Sequence, residues 1–393
     1  MKKFLAIALS LILILGVFAC AQPVEDQPQG TPGNDTQEPG PDDTATTGED
    51  PTPPPDPEHD FGDGIPFALV TDYGTIDDGS FNQGSWEGMI AFADARGFAR
   101  QYIQPPEVSD AAYVDAIELA IEQGARVVVT PGFLFAAAVH EAQELFPDVK
   151  FILIDAQPRP ADGDAFIAPN TVAVLYAEEE SGFLAGYAAV MDGHRELGFI
   201  GGIPVPAVVF FGTGFVEGAE LAASELGLAS GDVSIRYAYA GTFSPSPEVQ
   251  TMAASWYMDG VEIIFAAAGG AGFSVMAAAD AANGLVIGVD IDQAGASQTV
   301  VTSALKGLQA SVYSVLEDYM NGTFPGGIAK RFDASLDGVS LPMATSRFQT
   351  FNQEQYDAIF ARLAAGEFNL STTTGADAHL GLDISLVNLI SVG

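Results

Sequence analysis

From residue 66 onward the chain alternates short continuous apolar runs with longer stretches in which apolar residues recur every three or four positions. "PFALVTD" is followed by "FNQGSWEGMIAFADARG", "ARQYIQ" by "AAYVDAIELAIEQG", "ARVVVTPG" by "FAAAVHEAQELFP", and "VKFILIDA" closes the series. Unbroken Val, Ile and Leu runs predict strands covered on both faces, as in a parallel sheet, and the intervening period predicts amphipathic helices. Ser80 is a candidate cap for the first helix. The rhythm restarts at "NTVAVLY" and runs through "EESGFLAGYAAVMDG", "ELGFIGGI", "FGTGFVEGAELAASELG", "VSIRYAYAG", "SPEVQTMAASWYMDG", "VEIIFAAAG" and "GFSVMAAADAANG" to "LVIGVDID". "SQTVVTSALKGLQASVYSVLEDYM" reads as one further helix. The class is α/β: two doubly wound units, each with a mostly parallel sheet, making two lobes with a ligand cleft between them.

The N-terminus does not share this pattern. Lys2 and Lys3 precede "FLAIALSLILILG", too short to span a bilayer but suited to a signal-peptide core. The run ends in "VFAC", which resembles a bacterial lipobox whose Cys20 would carry lipid. Cys20 is the only cysteine, so the folded part has no internal disulfide, thiolate metal cluster or cysteine nucleophile. Residues 20–60 are Pro-, Thr-, Gly- and acid-rich and too poor in apolar surface to order themselves, which predicts a spacer after a signal peptide over residues 1–19. Beyond Ala19 no apolar run is expected to be of membrane-spanning length. A net charge of −38 with only 14 Lys and Arg argues against nucleic acid and against adsorption to anionic lipid, leaving Cys20 as the expected membrane attachment.

Candidate chemistry gathers in "TDYGTIDDGSFNQGSWEGM", where Asp72, Asp77 and Asp78 stand beside Phe81, Asn82 and Trp86. A catalytic carboxylate cluster, a metal site and a small-molecule clamp would all draw on such residues. In open parallel sheets ligands collect at the carboxyl ends of strands. Asp72, Asp155, Gly269 and Asp290 each fall at the end of a predicted strand. Bland readings stand beside these. Asp77 and Asp78 suit a helix N-terminus by their charge, Trp86 suits packing beneath the site, and Phe211 and Phe215 suit a lobe core. "DID" at 290–292 lacks the further ligands of a carboxylate metal site. "GTGFVEG" lacks the Lys-Ser/Thr ending of a phosphate loop, and the His residues are scattered.

"TDYGTIDDGSFNQGSWEG", "FILIDA", "AGTFSPSPEVQTMAASWYMDGVEIIFAAAGGAG", "VIGVDIDQ", "TSALKG" and the late "NGTFPGG", in this order, resemble the basic membrane protein family. These are lipoprotein receptors of ABC importers, typified by the purine nucleoside receptor, and the similarity runs from residue 65 to the end. The resemblance implies a two-lobed periplasmic-binding-protein fold of type I, with 65–168 and 296–325 in the N-terminal lobe and 169–295 and 326–393 in the C-terminal lobe. It also implies a nucleoside pocket. Phe81 and Phe243 would sandwich the base, and Asp72, Asn82 and Asp155 would hydrogen-bond its polar edge or the sugar. Gly269 would admit the ligand close to the backbone, and Asp290 with Lys306 would hold the ribose hydroxyls. The implied partners are a nucleoside and ABC permease subunits, at the extracytoplasmic face of a bacterial membrane, with no cofactor, no metal and no catalysis.

Physical chemistry agrees with such a site. A purine offers two π faces to opposing rings, a ribose diol donates well to a carboxylate, and a lysine would offset crowded carboxylates. The lack of a basic cluster argues against phosphorylated ligands. Three alternatives stay open at this level: a receptor for a sugar or other small polar ligand in transport or sensing, an extracellular nucleoside hydrolase, which would release free base from inosine, and a purely adhesive surface lipoprotein, which would show no ligand-dependent shift in melting temperature.

Overall fold

The computed structural model describes Phe61 and residues 64–392. The expected signal peptide, Cys20 and the linker lie outside the described residues. The first lobe starts with β1 (Phe67–Val70), α1 (Phe81–Arg96), β2 (Arg100–Ile103), α2 (Asp110–Glu122), β3 (Val127–Pro131), α3 (Ala136–Leu145), β4 (Lys150–Ile154) and β5 (Thr171–Tyr176). The second follows with α4 (Glu178–Met191), β6 (Glu196–Gly201), α5 (Pro206–Glu225), β7 (Val233–Tyr239), α6 (Pro247–Met258), β8 (Ile263–Ala267), α7 (Gly272–Ala282), β9 (Leu285–Asp290) and β10 (Val300–Lys306). Then come α8 (Leu308–Met320), β11 (Ile328–Phe332), β12 (Val339–Ser340), α9 (Gln353–Ala364) and β13 (Val387–Ser391).

Two sheets result, with orders β11-β5-β4-β3-β1-β2 and β12-β10-β9-β8-β6-β7-β13. All pairings are parallel except that of β12 with β10. The order β2-β1-β3-β4-β5 in one sheet repeats as β7-β6-β8-β9-β10 in the other. The expected two-lobed, doubly wound α/β architecture is therefore present. β1, β3 and β8 are buried along their whole length, as strands sheathed by helices on both faces must be. In the first lobe, α1 and α8 supply one core face and α2 with α3 the other. In the second, α4, α5 and α9 face α6 and α7 across the sheet.

The expected lobe boundaries need correction. β5, expected in the second lobe, pairs with β4 through Phe151↔Thr171 in the first sheet, and the chain crosses only at Ala177. Residues 300–306, expected to be helical and in the first lobe, form β10 against β9 in the second sheet, and the return occurs at Gly307. Residues 328–332, expected in the second lobe, pair with β5 in the first. The β-branched run Val300, Val301, Thr302 explains the strand. A strand buried on both faces carries no mark of which sheet receives it. The three crossings lie side by side: the Ala177 amide donates to Phe332 O at 3.0 Å and the Gly307 amide to Gly338 O at 2.8 Å.

One further expectation fails. Helix α5 is long and apolar enough to cross a membrane by length and composition. It is instead a core helix of the second lobe, laid against α4. Gly182 and Gly186 on α4 lie against the backbone of Phe211 and Phe215 on α5, and Gly214 and Gly218 on α5 against that of Glu179 and Phe183 on α4, each pair on one helix face by its four-residue spacing. A methyl at Gly186 would lie 2.0 Å from the Phe215 carbonyl oxygen, and one at Gly214 would lie 1.9 Å from that of Glu179. The two helices thus touch backbone to backbone, and Gly214 and Gly218 of "GTGFVEG" serve this contact, while its Gly212 faces Tyr237 and Phe199.

Gly186→Ala should therefore destabilise the fold by about 1–3 kcal/mol through overpacking. Alanine is otherwise the better helix former by about 1 kcal/mol. Gly295→Ala, at a site with open space around it, should stay within about 0.5 kcal/mol of the parent. Urea unfolding of the two variants checks this, and equal stabilities would refute the close contact.

Candidate functional site

Both lobes contribute strand ends and helix starts to one cavity of about 390 Å³, within the range of small-molecule sites. Asp72, Phe81, Asn82, Asp155, Phe243, Gly269, Asp290 and Lys306 all line it. The first lobe supplies Asp72 after β1, Phe81 and Asn82 at the start of α1, and Asp155 after β4. The second supplies Phe243 after β7, Gly269 after β8, Asp290 at the end of β9 and Lys306 at the end of β10. β4 and β9 occupy equivalent places in the repeated strand order, and each ends in an aspartate with left-handed backbone, Asp155 at φ 61° and Asp290 at φ 67°. Aspartate tolerates this conformation better than most residues, and the sharp turn aims each carboxylate into the cleft.

Ser80 holds the N-cap position of α1, but its hydroxyl does not cap the helix. It donates to Asp290 Oδ2 across the cleft at 2.5 Å. Asp78 takes over the helix end, accepting the backbone amides of Ser80, Asn82 and Gln83. The helix-acid reading of Asp78 thus fits, although Asp78 and the exposed Asp77 also line the cavity. Asp78 Oδ2 and Asp72 Oδ1 hold the Asn82 amide nitrogen at 2.9 and 3.0 Å. That fixes the orientation of the side chain and leaves Asn82 Oδ1 buried without a partner, as is Asp155 Oδ1. Gly269, at φ 53°, turns the chain toward α7, while the Ala271 amide donates to Phe243 O at 2.8 Å and seats the Phe243 loop.

Among the described residues Lys306 is the one cation in the lining. Its ammonium bonds Asp155 Oδ2 and lies 3.1 Å from Glu178 Oε1. The rings of Phe81, Tyr176 and Phe211 stand around it at 5.0, 5.5 and 5.4 Å. Burial by itself would lower the Lys306 pKa, but Asp155, Glu178 and Asp290 outweigh it and raise the value. Burial lifts Asp290 to about 6, with Lys306 and the Ser80 hydroxyl opposing. Burial lifts Glu178 to about 8 against the pull of Lys306. Asp72 is also raised by burial, partly offset by hydrogen bonds from Gly74 and Asn82. The surroundings are acceptor-rich and electronegative, so they disfavour anions. Among the described residues no group of three or more His, Cys, Asp or Glu side chains is arranged to hold a metal ion.

The model of the Bmp family, ABC transporter substrate-binding proteins that are PnrA-like, matches residues 65–363. The chain belongs to this family. Its relatives include the ABC transporter nucleoside-binding protein BmpA of Lactococcus lactis, 29% identical over 307 residues, covering 72% of this chain and 83% of that protein. Basic membrane protein A2 of Borrelia garinii is 30% identical over 269 residues, covering 67% of this chain and 76% of the relative. An ABC transporter solute-binding protein from Aeropyrum pernix shares the fold at a TM-score of 0.67 and 21% identity, over 80% of this chain and 95% of that one. The resemblance read from the motifs is thus correct, and this PnrA-like protein is an ABC transporter substrate-binding protein.

Sequence reasoning missed several participants. Phe211, expected to be core only, is 2% exposed yet also lines the cavity, whereas Phe215 is fully core. Trp86 does not line the cavity; it meets Tyr102 edge-on at 5.6 Å on the first lobe. Tyr73, Phe133 and Phe273 line the cavity while remaining partly exposed, and Phe273 lies against Gly79 of the opposite lobe. Glu178 falls between the expected strand "NTVAVLY" and the expected helix "EESGFLAGYAAVMDG" and carries no reading there. A run of three glutamates was its sole signal, and that signal ordinarily means a solvated helix end.

The Asp290 value implies a pH dependence of folding. Its folded pKa lies above the ordinary 3.8, so the folded state holds the proton more tightly than the unfolded chain. The stabilising contribution is complete below pH 4 and is lost as pH rises through about 6. Asp290→Asn keeps an acceptor for Ser80 and tolerates the left-handed backbone. Relative to the parent it should gain stability between pH 4 and 7, by up to about 3 kcal/mol. Urea midpoints across that range measure the gain, and a difference independent of pH would refute the assignment.

Proposed function

We propose that the protein captures a nucleoside, foremost a purine nucleoside, between its lobes and passes it to an ABC permease. The observation that carries this reading is the meeting of Phe81 and Phe243, from opposite lobes, in one cavity with the paired aspartates and Lys306. Two rings can take the two faces of a base. Asn82 Oδ1 and Asp155 Oδ1 are free to accept its N–H groups, and Asp290 with Lys306 can hold the ribose hydroxyls. The nucleoside-binding activity named for the Lactococcus relative supports the same ligand class. The protein acts as a receptor and not as an enzyme in this reading, in which a lining that holds no His or Cys among the described residues serves binding. It works at the extracytoplasmic face of a bacterial membrane, held there by lipid on Cys20 through the 20–60 spacer.

Calorimetry with inosine and hypoxanthine tests the site. Phe81→Ala should weaken both ligands by roughly 1–3 kcal/mol, a factor of about 5 to 150. Asp290→Ala should cost inosine a further roughly 1.5–3 kcal/mol beyond any effect on hypoxanthine, because only the riboside presents a diol. Any strain from alanine in a left-handed backbone weighs on both ligands alike, so the difference isolates the sugar. Equal losses for the two ligands would remove the ribose from Asp290.

The anchor has its own test. Cys20→Ser should shift the protein from the detergent phase to the aqueous phase, or leave it unprocessed. Unchanged partitioning would refute lipidation at this residue.

A further inference from the structure

Helix α4 opens with Glu178, Glu179 and Glu180 immediately after the first crossing between lobes. Three acids in a first turn ordinarily stand in water and favour the helix dipole. Here Glu178 and Glu179 are 4% and 3% exposed, so solvation does not explain them. Consecutive helical residues point about 100° apart, and each of these finds a different partner. Glu178 reaches Lys306, the last residue before the second crossing. Glu179 pairs with Arg331 on β11, just before the third. Glu180 Oε2 accepts the Ala334 amide at 2.7 Å, just after the third.

We propose that Glu178 is a positioning residue of the binding site: with Asp155 it engages two of the three ammonium N–H bonds of Lys306, aims the third at the cavity, and with Glu179 and Glu180 ties that lysine's strand to the other crossings. Asp155 belongs to the first lobe and Glu178 to the second, so Lys306 is aligned only when both lobes hold it. The tripod of Phe81, Tyr176 and Phe211 around the ammonium closes its other directions. Arg331 donates to the Tyr176 carbonyl at 3.4 Å as well as to Glu179, which joins the strand before the first crossing to the same set. Ligand contact and hinge geometry thereby share one side chain.

The binding arm of the test rests on the nucleoside reading; the exchange arm does not. In the parent protein, Glu178→Ala should weaken inosine binding about tenfold or more by calorimetry. In a Lys306→Gln background the same change should alter affinity less than twofold, because the lysine it positions is gone. Glu178→Gln keeps the size and one acceptor of the side chain, and should fall between parent and Glu178→Ala. Without ligand, hydrogen–deuterium exchange should rise in Glu178→Ala at residues 176–181, 305–309 and 331–336, with β1 and β8 unchanged. An equal loss of affinity in both backgrounds would mark Glu178 as a general structural acid and overturn the proposal. Unchanged exchange at the three crossings would overturn it as well. If the parent fails to bind inosine, the nucleoside reading falls and the exchange result alone decides whether Glu178 holds the hinge.

Discussion

Lys306 is 6% exposed, and an ammonium withdrawn from water persists only where carboxylates and dipoles replace its hydration. That requirement draws Asp155 from one lobe and Glu178 from the other to a single point, beside the place where the chain returns at Gly307. The three crossings lie close enough to exchange backbone hydrogen bonds, so the cation and the hinge share one environment. The carboxylates around the ion outnumber it. Burial lifts the pKa values of Asp290 and Glu178 above the ordinary carboxylate range, and Lys306 opposes that rise. A cluster of this kind is a poor place for an anion and a good one for a neutral molecule rich in hydrogen-bond donors.

The repeated strand order gives the cleft its approximate symmetry. Asp155 and Asp290 end equivalent central strands with the same unusual backbone, and Gly132 and Gly269 follow the neighbouring strands β3 and β8 at positive φ. Left-handed residues at strand ends cost conformational free energy that flanking structure must supply. Hydrogen-bonded neighbours supply it here: the Asp155 amide donates to Val174 O at 2.9 Å, and Asp290 receives the Ser80 hydroxyl. The rigid sheet therefore fixes where the carboxylates point before any ligand enters.

Much of this was legible in the chain. Continuous apolar runs locate the strands, and the strand-end rule finds Asp72, Asp155, Gly269 and Asp290 without reference to relatives. Phe81, Phe243 and Lys306 carried too little local information and depended on the resemblance of motifs. The lobe assignments of residues 171–176, 300–306 and 328–332 were not legible. The buried strands over 171–176 and 300–306 look the same whichever sheet they join, the mostly exposed edge strand over 328–332 carries no apolar run that marks it, and only pairing with β4, β9 or β5 decides. Ser80 illustrates a second limit. Its position predicts a cap, yet Asp78 caps the helix through three amides and frees the serine to bridge the lobes. Glu178 illustrates a third, because a glutamate run at a helix start reads as surface until its partners across the crossings are known.

Closure of the cleft has to be favourable with the right occupant and less so without it. Ser80 to Asp290 and the Gln293 amide to Gly79 O, at 2.8 Å, are polar links between lobes that any closed form can make. They do not distinguish one occupant from another. In the proposed site, discrimination would fall to the acceptors that closure buries. Asn82 Oδ1 cannot rotate away, because two carboxylates hold its amide nitrogen, and Asp155 Oδ1 is held by the bond of its partner oxygen to Lys306. A buried acceptor left unpaired costs about 1–3 kcal/mol, so a molecule that offers N–H groups at these two points repays closure. A molecule of similar size with acceptors there meets repulsion. In the proposed nucleoside site, the fixed orientation of Asn82 would turn a hydrogen-bond network on the first lobe into a selection rule for what the two lobes can close upon.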